Sequence, residues 1–277
     1  MPGTVERPTD QRAREETSDF DRRARALPPP RVIDVMQDYY WPRATFCAEG
    51  TPGAWGDNRF FFYKRHLDHL REFAGRRVLN AACGSGELSL YLAHCGMRVT
   101  AFDFSPAMVE YARELARVNR MDDRIVVDRK DVRELDYEEG TFDVVTGEAA
   151  LHHLIKYDSC LQNLYRVLKP GGVALFWENF SFDPIIRLLR PINWRLKGWV
   201  GEHSLGRADL ERAATVFDRV DVSDHAVFYT YSRFFSTPSA RHRWIARALK
   251  SVDDALLPRV PALKRFYSLA YLQMHKF

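Results

Sequence analysis

Between Arg77 and Asp103 the chain reads RVLNAACGSGELSLYLAHCGMRVTAFD. Ala81, Ala82, Gly84, Ser85 and Gly86 are small enough for the backbone to turn sharply and to approach a ligand closely. Asp103 closes the next apolar run, and a carboxylate there can accept two hydroxyl hydrogen bonds, as a ribose diol offers. A nucleoside-bearing ligand is the chemistry these residues suit. Their spacing narrows it. The dinucleotide fingerprint is G-x-G-x-x-G, whereas the small residues here stand at 82, 84 and 86 and are followed by Glu87. An acid at the helix start repels a pyrophosphate, which favours a ligand with no phosphate at that point. Further on, Asp131, Glu148, His152, His153, Glu178 and Asn179 add carboxylate, imidazole and amide groups. Histidine is the side chain that titrates near neutral pH.

The elements that must hold these groups alternate between strand and helix. Strands are expected at 78–82, 98–102, 125–127, 142–146 and 173–177. Helices are expected at 87–95, from Pro106 to about 117, and up to Leu168, where Lys169-Pro170-Gly171-Gly172 reads as a stop and turn. The pattern predicts an α/β, doubly wound fold. In such folds the loops after the strands open on one rim, so Glu148, His152, His153, Glu178 and Asn179 are expected to face one substrate side.

At this point LNAACGSGELSLYLA, followed by VTAFDFSPAMVEYARE, resembles motifs I and II of the class I S-adenosylmethionine-dependent methyltransferases of small-molecule type. DRKDVRELDYEEGTFDVVTGEAALHHL and LYRVLKPGGVALFWEN resemble the rest of that family's core. The resemblance covers roughly residues 76–180. It implies a Rossmann-like, seven-stranded, mostly parallel sheet with an antiparallel last strand, an N-terminal helical lid and insertions after strand five. It implies S-adenosyl-L-methionine as cofactor. Asn80, Ala82, Gly84 and Gly86 would lie at its methionine part, Asp103 on the ribose and Phe104 against the adenine. Asp131 and the Val132 N–H would read the adenine amino group, and Glu148 would hold the cofactor's amino group or orient an amine acceptor. Two positions depart from the family pattern: Asn80 stands where an acid is usual, and Ala82 where glycine is usual.

Methyl transfer from a sulfonium is an in-line displacement in which positioning carries much of the catalysis. A base is needed only for a nucleophile that arrives with its proton. His153 is the preferred candidate, His152 being expected to pack against the sheet, with Glu148 as a third catalytic candidate. No spacing suggests a metal site, and none is expected.

The remaining chain sets limits. Its 277 residues are 46% hydrophobic with a net charge of +4, which suits one large domain and gives no nucleic-acid signature. Cys47, Cys83, Cys95 and Cys160 are scattered, as in a reducing compartment; with no leader-like segment and no bilayer-length apolar run, a cytoplasmic protein is expected. Residues 1–30, rich in charge, read as a disordered or flexible arm, with a short helix over 17–27 that caps a partner or the active site as the alternative. Residues 31–75 read as an aromatic-rich helical lid with a helix over 59–73. Its aromatics either pack a layer on the sheet or place Tyr39, Tyr40 or Tyr63 near the acceptor, and His66 and His69 are expected on a solvated face. The methyltransferase domain is expected over 76–277, with its core at 76–180. A helix is expected over 209–217, a strand at 220–223, a further β-rich stretch at 226–231 and the last strand within 266–277. The insertions 181–208, containing Trp194, and 238–261, with an Arg-rich helix, are expected to build the substrate side, where Tyr39, Tyr40, Tyr63, Glu178, Asn179 and Trp194 are the candidate contacts.

From Ile185 to Phe277 there are sixteen Lys or Arg against eight Asp or Glu. That excess reads as a solvated basic surface, as a rim for an anionic or lipid-bearing acceptor, or as peripheral contact with an anionic membrane. Homo-oligomerisation stays open. The leading function is methyl transfer to O, N or C of a small-molecule acceptor of metabolite, quinone or lipid type. The competing readings are an RNA or protein methyltransferase, a nicotinamide oxidoreductase and a non-catalytic cofactor-binding scaffold. No Pro-Pro-Tyr-type tetrad follows strand four, where Gly147-Glu148-Ala149-Ala150 stands instead, which disfavours the first of these.

Overall fold

The computed structural model describes residues 8–36, 60–196, 203–231 and 240–277. Seven strands form one sheet: β1 (Arg77–Ala81), β2 (Arg98–Asp103), β3 (Ile125–Arg129), β4 (Phe142–Glu148), β5 (Leu168–Asn179), β6 (Arg219–Ala226) and β7 (Leu269–His275). Their order is β3-β2-β1-β4-β5-β7-β6. β7 runs antiparallel to β5 and β6, and the other pairings are parallel. The carboxyl ends of β1–β6 therefore share one edge.

Both faces of the sheet are covered, as parallel strands with near-continuous apolar runs require. One face packs Val78, Val99, Val144, Leu175 and Tyr271 under α2 (Phe60–Arg71), α3 (Glu87–His94) and α4 (Pro106–Val118). The other packs Leu79, Val145, Phe176 and Leu272 under α5 (Leu151–Leu154), α6 (Cys160–Val167) and α8 (Arg207–Val216). α4 starts where the sequence says it should. Ser105 caps it by accepting from Met108 N, and Pro106 sits at a first-turn position where its missing N–H costs nothing. Two further helices, α7 (Pro184–Leu196) and α9 (Ala240–Leu256), fill the insertions. No helix among the described residues is long and apolar enough to cross a membrane.

Four expectations are corrected. The arm is not disordered over 8–25: α1 (Pro8–Arg25) is a helix packed on α4. Its inward face carries Glu16 and Asp19, but Glu16 pairs with Lys156 and Asp19 with Arg22 and Arg23, so the charge that suggested solvation is neutralised in place. His66 is not on a solvated face; it is 1% exposed, because it shares the inward face of α2 with buried Leu67 and Leu70. His69 Nδ1 lies 3.0 Å from Tyr271 Oη. Residues 227–231 are not β-structure: β6 ends at Ala226, and the Asp253 carboxylate accepts from Val227, Phe228 and Tyr229 N–H, folding the segment into a turn. Finally, Lys169–Gly172 lies inside β5, with a register shift between its pairings to Phe142 and Val144.

Candidate functional site

The turn after β1 holds Ala82, Gly84 and Gly86 at φ of 49°, 52° and 89°. Left-handed backbone of this kind is easy for glycine and strained for alanine. A Cβ on Gly86 would stand 2.9 Å from Ala112 Cβ, so glycine is what lets α3 and α4 approach there. A Cβ on Gly84 would meet nothing within 4 Å, which leaves room for a ligand beside the backbone. A second strained alanine, Ala149 (φ 49°), follows β4 on the neighbouring strand end. Gly147 is required just before it, since a Cβ there would lie 2.6 Å from Ala81 O.

Asp103 fastens this turn to β2. Gly84 N donates to its Oδ2 and Ser105 N to its Oδ1, both at 2.9 Å. Each oxygen keeps a lone pair for a further donor. Burial pushes the Asp103 carboxyl up to about 6, against the pull of the backbone N–H groups of Ser105, Gly84 and Phe104, with the charge of Asp21 adding to the rise. Asp21 belongs to α1 and accepts from Ser105 Oγ (2.5 Å) and Ala107 N (3.3 Å). A carboxylate thus sits at the N-terminus of α4, where the helix dipole favours it.

A cavity of about 390 Å³ opens beside this turn, lined by Ala82, Phe104, Asp131, Val132 and His153 together with Glu16 and Thr17 of α1. That is the lower end of the range for small-molecule sites. Asp131 caps a short 3-10 turn by accepting from Arg133 N (2.9 Å), and its other oxygen accepts from Arg133 Nη2 (2.7 Å). Phe20 of α1 meets Phe104 and His153 edge-on, with centroids 5.6 and 5.4 Å apart. Glu16 and Thr17 of α1 line the cavity; a capping helix over 17–27 is the alternative the sequence offers, but the Glu16–Lys156 pair that anchors it spans 140 residues, and no local spacing signals it.

The two histidines separate. His152 is buried and its Nδ1 donates to Glu178 Oε2 at 2.6 Å, while Glu178 Oε1 accepts from Leu151 N at 2.7 Å. The His153 ring lies 4.2 Å from the His152 ring, tilted by 39°, and lines the cavity. Glu178, expected as an acceptor contact, is 1% exposed with both oxygens engaged; it orients α5 instead. Asn179 lies on the opposite face of β5, its Oδ1 buried without a hydrogen-bond partner among the described residues.

A third group lies on the α2 face of the sheet. Asn80 donates through Nδ2 to Ser89 Oγ (2.9 Å), and its buried Oδ1 has no partner among the described residues. Thr146 pairs in register with Asn80 on the adjacent strand, and Glu148, two residues on, projects to the same face. His66 Nε2 lies 3.5 Å from Thr146 Oγ1. Burial drives the His66 pKa down to about 3, against the pull of the Glu148 charge, so His66 is uncharged at neutral pH. Glu148 is not part of the cavity wall. Tyr39 and Tyr40 lie outside the described residues; Tyr63 and Trp194 are placed as positions on α2 and α7. No group of three or more His, Cys, Asp or Glu suited to a metal occurs among the described residues.

Residues 78–172 match the family model described as a methyltransferase domain. A demethylmenaquinone methyltransferase of Clavibacter sepedonicus is 38% identical over 112 residues, covering 40% of this chain and 44% of that one. An uncharacterised methyltransferase of Synechocystis sp. is 31% identical over 158 residues, covering 56% of this chain and 66% of that one. The chain thus spans about half the length of the curated relatives it matches. The crystal structure of the [4+2]-cyclase SpnF aligns with a TM-score of 0.54 at 19% identity, covering 90% of this chain and 99% of that one, a likeness of fold.

Proposed function

We propose, from the premise that residues 78–172 form a class I S-adenosylmethionine-dependent methyltransferase domain, that this chain transfers a methyl group from S-adenosyl-L-methionine to O, N or C of a small-molecule acceptor. The observation that carries the reading is the Gly84–Asp103 hydrogen bond, whose sequence neighbours Ala82, Phe102 and Phe104 line the cavity. It places a buried carboxylate for a ribose beside an open glycine turn. When bound, the cofactor supplies a methyl group already activated by its sulfonium. Asp103 would accept from the ribose hydroxyls, Phe104 would lie along the adenine, and Asp131 with Val132 would close that end. Asn80 Oδ1 would accept from the ammonium of the methionine part. α1 excludes water from the cavity through Phe20 and the buried Glu16–Lys156 pair. The acceptor would enter on the Asn80, Glu148 and Asn179 side, and a quinone or similar apolar metabolite fits the reading; the Clavibacter relative is a demethylmenaquinone methyltransferase by name.

The test is calorimetric titration with S-adenosylhomocysteine, with NAD as comparison, followed by transfer of a labelled methyl group to a panel of phenols, hydroquinones and amines. Binding of NAD alone would overturn the reading. Binding of S-adenosylhomocysteine with no transfer to any acceptor would leave a protein that holds the cofactor without transferring its methyl group.

The raised Asp103 pKa makes cofactor binding pH-dependent. The folded value, about 6, lies above the ordinary 3.8. The ionised group therefore costs stability in the ligand-free protein; that cost is absent below pH 3.8 and fully present above about pH 6. Hydroxyl donors favour the carboxylate, so affinity for S-adenosylhomocysteine is expected to be maximal above pH 6 and to fall by up to about tenfold per unit below it. Asp103→Asn should flatten that limb and weaken binding roughly tenfold at pH 7.5. An unchanged limb in the variant would remove Asp103 from the site.

His153 shares its wall with Phe104, Asp131 and Val132, the adenine end. His153→Ala is accordingly expected to weaken cofactor binding roughly tenfold, the scale of a lost packing contact, while kcat at saturation changes only a few-fold. A hundredfold loss of kcat at unchanged affinity would make it the general base instead. Deleting residues 1–25 is expected to leave a folded sheet but to cost about tenfold or more in cofactor affinity, read by titration of the shortened chain; full affinity would show that α1 is no part of the site.

A further inference from the structure

The outer side of α7 is apolar where a surface helix is normally polar. Ile185, Leu188, Leu189 and Ile192 are 50, 70, 37 and 53% exposed, at the i, i+3, i+4, i+7 spacing of one helix face. Exposed Arg187 lies on the same helix, between Ile185 and Leu188 in the sequence. The helix already has an inner face: Ile186 is buried, and Arg190 Nη1 donates to Phe180 O (2.9 Å) and Ser204 Oγ (2.7 Å). The outer stripe is therefore a second apolar surface. On α9 Trp244 is 69% exposed, and Leu256 at its end and Val260 beyond it are also open.

The two helices hang from one turn. Tyr231 Oη donates to Asp183 Oδ2 (2.7 Å), the residue whose other oxygen accepts from Ile185 N and Ile186 N at the start of α7. Asp253 of α9 accepts from Val227, Phe228 and Tyr229 N–H. α7 follows β5 and α9 follows β6, and these two parallel-running strands end on the same edge as the glycine turn. Arg187 on α7 and Arg259, Lys264 and Arg265 in the segment after α9 are exposed, within a stretch holding sixteen basic against eight acidic residues.

We propose that this corner docks on an anionic lipid bilayer, with the α7 stripe seated among the upper acyl chains and the neighbouring cations on lipid phosphates. An interfacial helix combines these two features, an apolar face and flanking basic residues. A second copy of the chain fits less well, because pairing this corner with itself would oppose like charges. The inference stands independently of the methyl-transfer reading, and the titration with S-adenosylhomocysteine tests that reading separately.

The experiment is co-sedimentation of the full chain with vesicles of phosphatidylcholine alone and of phosphatidylcholine with phosphatidylglycerol. Binding is expected to the mixed vesicles, to weaken as salt is raised, and to fall about tenfold or more in the double variant Leu188→Glu/Ile192→Glu. Arg187→Gln should weaken it about fivefold, the scale of one surface cation. Both side chains of the double variant are exposed, so its melting temperature and cofactor binding should match the parent; if it fails to fold, Arg187→Gln and the salt series carry the test. No binding to mixed vesicles, or binding that neither variant nor salt changes, would overturn the proposal. Self-association by sedimentation equilibrium that the double variant abolishes, without vesicle binding, would assign the face to a second copy and overturn it too.

Discussion

Glu178→Ala is expected to destabilise the folded chain by about 3–5 kcal/mol, the largest single effect at this site. Glu178 is fully withdrawn from solvent, its side chain 0% exposed beside a His152 side chain at 3%. It serves two donors, Leu151 N and His152 Nδ1. Truncation leaves both unsatisfied in a dry environment, and the loss of a partner costs far more than the bond was worth. α5 is four residues long, too short to hold its own first turn, so that carboxylate is what seats it against β5. The melting temperature should fall by on the order of 10 °C. Glu178→Gln should recover part of the loss, because its carbonyl can still accept from Leu151 N while its amide forces the other tautomer on His152. Calorimetric melting of both variants reads this directly. A Glu178→Ala protein within about 0.5 kcal/mol of the parent, the range of an ordinary surface change, would show that the pair carries no structural weight.

Glu178 also shows where sequence reasoning reaches its limit. That an acid ends β5 on the ligand rim is legible. Which way it points depends on strand parity: Ala174 and Phe176 pack on the α6 side, Leu175 and Trp177 on the α2 side, so residue 178 follows the first pair inward and Asn179 the second. The parity is readable only once one residue of the strand is anchored to a face. The β1–α3–β2 unit needs no such anchor. Its switch from a short apolar run to small residues to a helical period is local, and Gly84, Gly86 and Asp103 follow from it. His66 lies between these cases. Its spacing from Leu70 places it on the buried face of α2, but imidazole composition alone suggests solvent. What no local pattern holds is long-range pairing: Glu16 with Lys156 across the chain, and Asp253 gathering the N–H groups of 227–229. The first converts a charge-rich segment that looks solvated into ordered structure, and the second turns a segment that reads as β-rich into a turn, because a buried carboxylate with its donors satisfied is tolerated where an isolated one is not.

Glu148→Gln is expected to weaken S-adenosylhomocysteine binding by about 2–3 kcal/mol, roughly a hundredfold, the upper range for a hydrogen bond to a charged group. The reason is Asn80. A neutral amide at the end of β1 can accept a hydrogen bond from the cofactor's ammonium through its buried Oδ1, but it cannot balance the charge. Glu148 can. It extends from the strand whose Thr146 pairs with Asn80 and projects to the same face. His66 beneath it is held uncharged by burial, so it does not neutralise Glu148 at working pH. The two strand ends would thus divide between them what one acid could do alone: Asn80 the geometry, Glu148 the charge. The division has a specific signature. 5′-Methylthioadenosine carries the nucleoside but no ammonium, so its affinity should be nearly the same for the parent and for Glu148→Gln. Asn80→Asp in the Glu148→Gln background should restore most of the lost S-adenosylhomocysteine affinity, since it returns a carboxylate to the neighbouring strand end. Equal weakening of both ligands by Glu148→Gln would instead mean that the substitution disturbs the strand end as a whole, where the strained Ala149 and the tight Gly147 contact already sit. No weakening of either would place the ammonium elsewhere and leave Glu148 to the acceptor.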